Sequence, residues 1–496
     1  MTHFLDDETY LGLKPVRDRG RAVLLFPNAY RLGMSSLALQ TLYALLNNAG
    51  LVCERAFLPD AKARKPLATG LRSLESETPL GGFEFVLLSS SFELDWLLMP
   101  ALLEAGGIPA RREDRDEMHP IVLAGGAAVT ANPEPLAGIA DVLVRGEIEP
   151  IAAQFLAILM GAESREEVFA GLASLPGVYL PSQASSAQTV ERLVQRQLDE
   201  VLTETSVLTP HTEFASRFLI EVSRGCGRTC RFCMARQLYH PLRVRHLDAL
   251  MPRLERALGY TDRVGLVGAA ISDYPWVDEL VSLLRERGAS LSVSSVRAEN
   301  VSEALVRALA QSGQDTLTLA PETGSDALRA AIGKTLTREH LHRCLRLGLA
   351  AGISHFRLYF MLGLPGEQPE DVEAIPQLVA HLREENPGAL LSASINPFAP
   401  KPHTPFAQAR VLPEAEVTRR LRQVANALRK AGVHDVTTDS PRAAEAQAVL
   451  GRGGRELSEP LIAASLQGAS LGAFRREVNR TDRTWGDYLT PGEDRS

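Results

Sequence analysis

Short apolar runs alternate with helical patterns along most of this chain, and that alternation limits its possible folds more than any other feature. In the first third, the strand candidates RAVLLF, FEFVLLSS, PIVLAGG and ADVLVRGE occupy residues 21–26, 83–90, 120–126 and 140–147. Between the first two, Leu39, Leu42 and Leu46 repeat at helical spacing after Ser35 and Ser36, either of which could cap the helix. Continuous apolar strands separated by helices are typical of parallel sheets covered on both faces. Residues 1–165 are therefore predicted to form an α/β domain with a doubly wound parallel sheet.

The same alternation restarts near residue 217. Six strand candidates follow, namely RFLIEV, RVGLVG, LSVSSV, TLTLA, HFRLYFM and LLSASI at residues 217–222, 263–268, 291–296, 316–320, 355–361 and 390–395. Six strand–helix units predict a partial (β/α)6 barrel over 211–410, although a second open sheet would give the same pattern. Residues 166–210 are interpreted as a connector, and 411–496 as a mainly helical C-terminal segment.

Charge and hydropathy exclude several classes of function. The net charge is −7, the pI is near 6.0, and no block of like charges stands out, which argues against a nucleic-acid partner. No apolar stretch reaches the roughly 18–20 residues that a membrane span needs, and the N-terminal residues lack the pattern of a secretory signal. We therefore expect a cytoplasmic protein with no membrane partner.

Three of the five cysteines are clustered in the segment RGCGRTCRFCMAR, residues 224–236. Cys226, Cys230 and Cys233 follow a predicted strand in a glycine-rich turn, with the spacing Cys-x3-Cys-x2-Cys. Thiolates favour iron–sulfur clusters and zinc, but a structural zinc normally has four protein ligands. Three thiolates without a fourth indicate a cluster with one iron open to substrate. The alternative is a zinc loop that borrows His240 or His246.

The cysteine segment resembles the hallmark of the radical S-adenosylmethionine (SAM) enzymes, Cys-x3-Cys-x-aromatic-Cys at the end of the first barrel strand. Cys226, Cys230, Phe232 and Cys233 match it completely. The resemblance implies that the three cysteines hold a 4Fe-4S cluster whose fourth iron binds SAM. Reductive cleavage of SAM then gives methionine and a 5′-deoxyadenosyl radical, which abstracts hydrogen from substrate. An external electron donor, flavodoxin-like or ferredoxin-like, is implied as a partner.

Later strand ends resemble the SAM-binding motifs of the same family. Gly268, Ala269 and Ala270 match a small-residue motif that receives the methionine amino group, although the usual acidic third residue is replaced by Ala270; a plain tight turn is an equal alternative. Ser294 and Arg297 are expected to contact the nucleoside or the carboxylate of SAM.

Two further strand ends complete the expected cofactor site. Glu322 resembles the acidic position beside the ribose, with a simple helix cap as the alternative. Gly363 and Leu364 resemble the motif that packs on adenine. Cys344 repeats with Leu341 and Leu345 at helical spacing and is interpreted as a buried core thiol.

The N-terminal stretches FPNAYRLGMSS, SSSFELDW and VLAGGAAV resemble the Rossmann-like, cobalamin-binding-type domain of one radical SAM subgroup. A cobalamin site would lie against residues 27–35, 89–95 and Gly125–Gly126, where strands end. The motif Asp-x-His-x-x-Gly, which supplies an axial histidine, is absent, and some subgroup methylases bind cobalamin without it. Cobalamin binding is therefore left open, as is a scaffold that has lost the cofactor.

Three functions stay open at this point. With cobalamin, the resemblance implies methyl transfer to an unactivated carbon. Without it, hydrogen abstraction would lead to rearrangement or cyclisation. The third hypothesis is a cobalamin or metal sensor without catalytic activity. The sequence identifies no substrate, since its motifs describe only the cofactor side of the site.

Overall fold

A computed structural model describes residues 3–14, 16, 20–59, 70–184, 186–187, 190–201, 203–433 and 435–491. The chain divides into two compact units. The first runs to Arg217 and also includes Val449–Tyr488, whereas the second comprises Phe218–Ala448 and the residues from Leu489. Each unit contains its own parallel β-structure, so the fold is mixed α/β, as the alternating pattern predicts.

The first unit is built on one six-stranded sheet. In chain order its strands are β1 Ala22–Phe26, β2 Cys53–Phe57, β3 Phe85–Ser89, β4 Ile121–Gly125, β5 Val142–Val144 and β6 Val178–Tyr179. Their order across the sheet is β2-β1-β3-β4-β5-β6, with β6 antiparallel and all other pairs parallel. Because β2 and β3 lie on opposite sides of β1, the winding direction reverses next to β1.

Helices cover this sheet and complete its core. Leu37–Asn48 begins where the Ser36 hydroxyl accepts the Leu39 N–H, as the serine in the sequence predicts. Side chains such as Leu24, Leu46 and Phe155 share one buried cluster. The helices of the unit are His3–Asp6, Tyr30–Gly33, Leu37–Asn48, Met99–Ala105, Ala127–Ala131, Ala152–Gly161, Arg165–Ala173, Ser458–Leu466 and Leu471–Val478.

The second unit contains two parallel sheets. The first holds β7 Phe218–Glu221, β8 Arg263–Val267 and β9 Ser290–Val293, with β8 central. The second holds β10 Thr316–Glu322, β11 His355–Leu362, β12 Leu390–Pro397 and β13 Val436–Thr438 in that order. The Val296 N–H donates to the Thr318 carbonyl and links the sheets beyond β9.

Amphipathic helices connect these strands, so the carboxyl ends of the strands within each sheet lie at one edge. The helices are Met234–Leu238, Leu247–Leu258, Val277–Glu286, Glu303–Gln311, Asp326–Ala331, Arg338–Ala351, Pro369–Glu385 and Glu414–Lys430. Two more, Pro441–Arg452 and Trp485–Leu489, each include residues of both units. None of the helices in the described ranges combines the length and the apolar character that crossing a bilayer requires.

The strand predictions are confirmed at all ten candidate positions, and two strands of the first sheet were missed. The first of these, β2, is fully buried but contains Glu54 and Arg55, so it does not form an apolar run. The other, β6, has two residues. The segment 411–496, which was predicted to be mainly helical, also contains the strand β13, and its residues Val449–Tyr488 group with the first unit.

The charges buried in β2 are neutralised by partners from elsewhere in the first unit. The Arg55 guanidinium donates at 2.7 Å to Glu8 and to Glu75, and all three side chains are almost completely inaccessible. It also lies over the Tyr43 ring, 4.6 Å from the centroid. A buried guanidinium is tolerated only when acceptors surround it. These contacts allow β2 to occupy the sheet edge, where the Leu74 N–H donates to the Arg55 carbonyl and the Arg55 N–H donates to the Glu75 carboxylate.

We expect Glu75→Gln to destabilise the first unit by about 3–5 kcal/mol, because the change leaves the buried Arg55 charge only partly compensated. Chemical denaturation followed by circular dichroism measures the loss. Glu84→Gln is the matched control, since Glu84 pairs with Arg21 at the surface, where a pair contributes about 0–1 kcal/mol. Equal losses for the two variants would show that the buried pair has no special role.

Candidate active site at the cysteine loop

The cysteine loop begins directly after β7 and is closed at its base by a short antiparallel ribbon. Ser223–Arg224 pairs with Arg243–Val244, so residues 225–242 form a loop whose two ends meet at this ribbon. Gly225 has a φ of +88°, and a Cβ there would lie 2.1 Å from the Tyr239 carbonyl oxygen. Only glycine fits this close approach between the two ends of the loop.

Cys226, Cys230 and Cys233 all lie on this loop as free thiols. Cys226 and Cys230 are buried, whereas Cys233 is half-buried and precedes the short helix Met234–Leu238. Burial raises the pKa of the Cys230 thiol, and the positive charges of Lys334 and Arg297 oppose that rise. The structure thus gathers the predicted ligands on one loop beside two cationic side chains.

Contacts from three later strand ends hold the loop in place. Arg228 donates to both carboxylate oxygens of Asp273, at 2.9 and 2.7 Å, and Asn300 donates to the same carboxylate. On another side the Arg231 N–H donates to the Ile332 carbonyl at 2.9 Å. Gly333 lies so close that a Cβ there would meet the Thr229 carbonyl at 2.4 Å. These bonds fix the loop against residues that follow β8, β9 and β10.

Phe232 packs against apolar residues from later segments of the second unit. It lies against a buried cluster that includes Ile332, Leu364 and Phe406. The Arg231 guanidinium lies 4.8 Å from the centroid of the Phe406 ring. The aromatic residue of the cysteine motif therefore contacts the same apolar cluster as Leu364, which the sequence analysis places at the adenine.

A cavity of about 350 Å³ opens next to the loop, between the strand ends of the second unit. Its walls are formed by residues that follow β8 and β9 and by residues of β10 and β11. The main lining side chains are Ala269, Ser294, Arg297, Glu299, Lys334 and Tyr359. Three predicted site residues, Ala269, Ser294 and Arg297, thus share one cavity. A volume of this size suits a small organic ligand.

Arg297 combines a fixed position with an unused donor. Its Nη2 donates to Glu299 at 2.9 Å, and its own backbone N–H donates to the Ser272 hydroxyl. Its Nε is buried and lies 3.9 Å from an Asp273 carboxylate oxygen, which is too far for a hydrogen bond, and it has no hydrogen-bond partner among the described residues. An orphan guanidinium donor in a cavity wall matches a ligand carboxylate.

Glu322 and Lys334 form the second charged pair. The Lys334 ammonium donates to Glu322 at 2.7 Å, and both side chains are almost fully buried. Glu322 has a φ of +67°, and the β10–β11 register shifts between Leu319 and Glu322. A non-glycine residue in this conformation is strained, as is common where a strand end is shaped for a ligand. Lys334, rather than Glu322, lines the cavity.

The remaining predicted residues are not among those that line the cavity. Gly268 directly follows β8, and a Cβ there would lie 2.6 Å from the Ser223 hydroxyl, so the glycine permits close packing on the loop base. Ala270 precedes a single helical turn, Ile271–Asp273. Gly363 follows β11 and donates its N–H to the Glu367 carboxylate, which in turn pairs with Arg420. Glu367 therefore fixes the turn that presents Leu364.

Sequence reasoning missed Glu299, Lys334 and Asp273 as parts of the site. Lys334 and Asp273 pair with Glu322 and Arg228, which are 12 and 45 positions away in the chain. Glu299 pairs with Arg297, only two positions away. The one sequence feature that could have identified these three residues is their position as charged residues beyond the ends of strands. The other two cysteines are buried and belong to other elements; Cys53 lies in β2, and burial raises the pKa of Cys344 to about 12. The prediction of a core thiol at Cys344 is confirmed.

The loops proposed for cobalamin follow strands that are neighbours in the first sheet. Residues 27–35, 89–95 and Gly125–Gly126 follow β1, β3 and β4, at the edge where the winding reverses. Gly126 has a φ of +108°, and a Cβ there would meet the Ser90 carbonyl at 2.3 Å. In the middle loop, burial and the nearby Glu93 raise the pKa of Asp95 from 3.8 to about 7.

Comparison with known families matches both units. Residues 38–181 match the family described as radical SAM proteins, N-terminal, and residues 220–379 match the radical SAM superfamily. The chain is 28% identical to the uncharacterised protein MJ0966 of Methanocaldococcus jannaschii over 477 residues, which are 95% of this chain and 96% of that protein.

Two solved structures share the fold over most of the chain. TsrM of Kitasatospora setae, a radical SAM methyltransferase with tryptophan and a SAM analogue bound, superimposes with a TM-score of 0.55 at 17% identity, covering 79% of this chain and 78% of TsrM. OxsB, a cobalamin-dependent SAM radical enzyme with aqua-cobalamin and SAM bound, gives 0.52 at 14% identity, covering 87% and 66%. At these identities the likeness concerns the fold.

The raised pKa of Asp95 makes the stability of the first unit depend on pH. Because the folded form holds the proton up to about pH 7 while the unfolded form releases it near 3.8, stability falls as pH rises between these values. We expect Asp95→Asn, which mimics the protonated acid, to stabilise the unit progressively over this range, by up to about 3 kcal/mol above pH 7.

Denaturation of the parent chain and of Asp95→Asn between pH 4 and 8 measures this effect. Asp114→Asn, a change at an exposed carboxylate of the same unit, is the control. A difference between Asp95→Asn and the parent that does not vary with pH would contradict the assignment.

Proposed function

The chain belongs to the radical SAM superfamily and is an enzyme of that superfamily, and from this premise we propose that it splits SAM at a 4Fe-4S cluster held by Cys226, Cys230 and Cys233. The observation on which the proposal rests is the placement of three free thiols on one anchored loop, where Cys230 experiences the positive charges of Lys334 and Arg297, two residues that line the cavity. No other cysteine shares that loop, so three thiolates are its complete sulfur donor set.

The residues present fit these two groups. Thiolates are the ligands that iron–sulfur clusters require, and the buried Arg297 Nε has no hydrogen-bond partner within the described part of the chain. A reduced cluster held by Cys226, Cys230 and Cys233 would supply the single electron that reductive cleavage of bound SAM requires. The chain's own contribution is to hold both groups in fixed positions away from solvent.

We assign roles to three residues that line the cavity, Ala269, Ser294 and Arg297, and to the other predicted residues by their chemistry. Arg297 is proposed to bind the carboxylate of SAM, and the backbone of Gly268, Ala269 and Ala270 its amino group. Ser294 and Glu322 face the ribose in this proposal, with Lys334 fixing the Glu322 carboxylate. Phe232, Gly363 and Leu364 form the apolar and backbone wall for adenine.

We divide the chain functionally into a Rossmann-like cobalamin-binding-type domain over 1–165, a connector over 166–210, a partial barrel over 211–410 and a helical segment over 411–496. Residues 185, 188, 189 and 202 of the connector lie outside the described residues. The strand order of the first sheet supports cobalamin as a second cofactor, since three loops of suitable position follow adjacent strands.

The reaction depends on that second cofactor. With cobalamin bound, we propose methyl transfer to an unactivated carbon; without it, hydrogen abstraction followed by rearrangement or cyclisation. A cytoplasmic flavodoxin-like or ferredoxin-like protein is the proposed reductant. The absorption spectrum of the protein after incubation with cobalamin and removal of free cofactor distinguishes the two routes.

Anaerobically reconstituted protein is expected to contain about four iron and four sulfide per chain and, once reduced, to convert SAM to 5′-deoxyadenosine. Cys226→Ala, Cys230→Ala and Cys233→Ala should each lose the intact cluster and the product, because each removes one of three ligands. Iron analysis and mass spectrometry of the reaction mixture measure both quantities. Cys344→Ala is the matched control, since that buried thiol lies on a helix away from the loop.

One tightly bound zinc with no iron in the reconstituted protein would falsify the cluster assignment. An intact cluster that never yields 5′-deoxyadenosine or methionine would instead leave the metal centre in place and remove the proposed reaction.

Arg297→Leu is expected to weaken SAM binding by roughly 10–150-fold, because a hydrogen bond to a charged group contributes about 1.5–3 kcal/mol. Equilibrium dialysis with labelled SAM, normalised to cluster content, gives the dissociation constants. Arg285→Leu, which removes an exposed arginine from a helix of the same unit, controls for the loss of one positive charge. Unchanged affinity in Arg297→Leu would remove this arginine from the SAM site.

A further inference from the structure

A histidine–carboxylate cluster lies in the helical layer of the second unit, on different elements from the cysteine loop. His342 belongs to the helix Arg338–Ala351, whereas His381 and Glu385 lie four residues apart on the helix Pro369–Glu385. One ligand atom from each of the three side chains lies within 4.8 Å of the others, and the described ranges contain no second group of this kind.

The distances within the cluster match those around a small metal ion. His342 Nε2 lies 3.3 Å from one oxygen of Glu385, and His381 Nε2 lies 3.1 Å from the other. In a tetrahedral zinc site, with bonds of about 2.0–2.1 Å, neighbouring ligand atoms are roughly 3.3–3.5 Å apart. Two imidazoles and a carboxylate are also ligands that zinc prefers.

An unsatisfied nitrogen provides a second, independent indication. The His342 side chain is only 4% exposed, and its Nε2 makes no hydrogen bond to any described residue. A buried imidazole nitrogen without a partner is costly, and it faces the Glu385 carboxylate.

The surrounding charges favour a cation. His381 and Glu385 occupy the last turn of a 17-residue helix, where the helix dipole is negative. The nearby Glu339 is already paired with Arg346 at 2.9 Å. Glu385 is therefore the carboxylate left to neutralise a bound ion, and its side chain is 51% exposed, so solvent can complete the coordination.

Asn386 can fix the orientation of the buried imidazole. Its Nδ2 lies 2.9 Å from His342 Nδ1, and its Oδ1 is buried with no hydrogen-bond partner among the described residues. Ligation through Nε2 requires the proton on Nδ1. Rotation of the amide by half a turn presents Oδ1 to that proton, which is the usual support for a metal-bound histidine. The Leu382 carbonyl would lose the Asn386 amide donor but keep the backbone N–H of Asn386.

We propose that His342, His381 and Glu385 form a binding site for a divalent transition metal ion of the zinc type, distinct from the iron–sulfur centre. The ion joins the N-terminal half of one helix to the last turn of the next. This assignment does not depend on the reaction at the cysteine loop, because no residue is shared between the two sites.

Zinc titration of untagged, full-length protein tests the site. The cluster-loaded protein and the triple variant Cys226→Ala, Cys230→Ala, Cys233→Ala are dialysed against buffered Zn²⁺, so that thiolate binding is recognised separately. Both are expected to bind one zinc per chain with the same affinity. His381→Ala and Glu385→Gln, at partly exposed positions that tolerate change, should bind at least about 100-fold more weakly. Asn386→Ala should bind roughly 10–100-fold more weakly, as losses of outer-shell partners do.

His355→Ala is the matched control, since His355 is an exposed histidine of the same unit outside the cluster, and it should bind zinc as the parent does. Circular dichroism verifies that each variant is folded. The proposal is overturned if the parent shows no saturable zinc site, or if folded His381→Ala and Glu385→Gln retain the parent's affinity. If the triple cysteine variant is the one protein that fails to bind zinc, the metal is bound by the thiolates, and the proposal is overturned as well.

Discussion

Parallel pairing of strands is the constraint on which the chemistry of this chain depends. In each sheet of the second unit the parallel strands bring their carboxyl ends to one edge, and every residue proposed to contact SAM lies at such an end or just beyond it. The side chains come from segments more than a hundred positions apart. A cavity with several polar walls arises there because parallel strands must be joined by crossovers, which leave the strand ends free to form loops.

Ion pairs then decide which charges remain free to act on a ligand. Arg228 is held by Asp273, and Lys334 is held by Glu322, so these cations position the loop and the strand end. Arg297 gives one side of its guanidinium to Glu299 and keeps Nε without a hydrogen bond. Burial of these pairs has a desolvation cost that their charge-assisted hydrogen bonds offset. It leaves the Arg297 Nε as a buried donor for which a ligand carboxylate is a suitable acceptor.

The sequence was sufficient where the physical signal is local. Apolar runs located ten strands, the spacing of three cysteines located the loop, and Ser36 located a helix start. Prediction from the sequence failed where the role of a residue depends on partners that are distant in the chain. The strand β2 was missed because Arg55 is tolerated inside the fold only through Glu8 and Glu75, which lie far away in the chain. The role of Lys334 was missed for the same reason, because its partner Glu322 is 12 positions away. Glu299 was missed although its partner Arg297 is only two positions away.

The histidine cluster shows the same limit in the helical layer. His381 and Glu385 are four residues apart and could be noticed as a pair on one helix face, but His342 precedes them by a strand and two loops. Only the packing of consecutive crossover helices brings the three together. One unit can therefore contain two independent sites. At the strand ends, polar groups from several loops lie close together. In the helical layer, packing brings together side chains from helix faces that sequence periodicity assigns to the core or to solvent. His342 does not follow that periodicity, because it is a polar residue buried beside an acidic side chain. Buried polar residues of this kind mark positions that have a role other than packing in the apolar core.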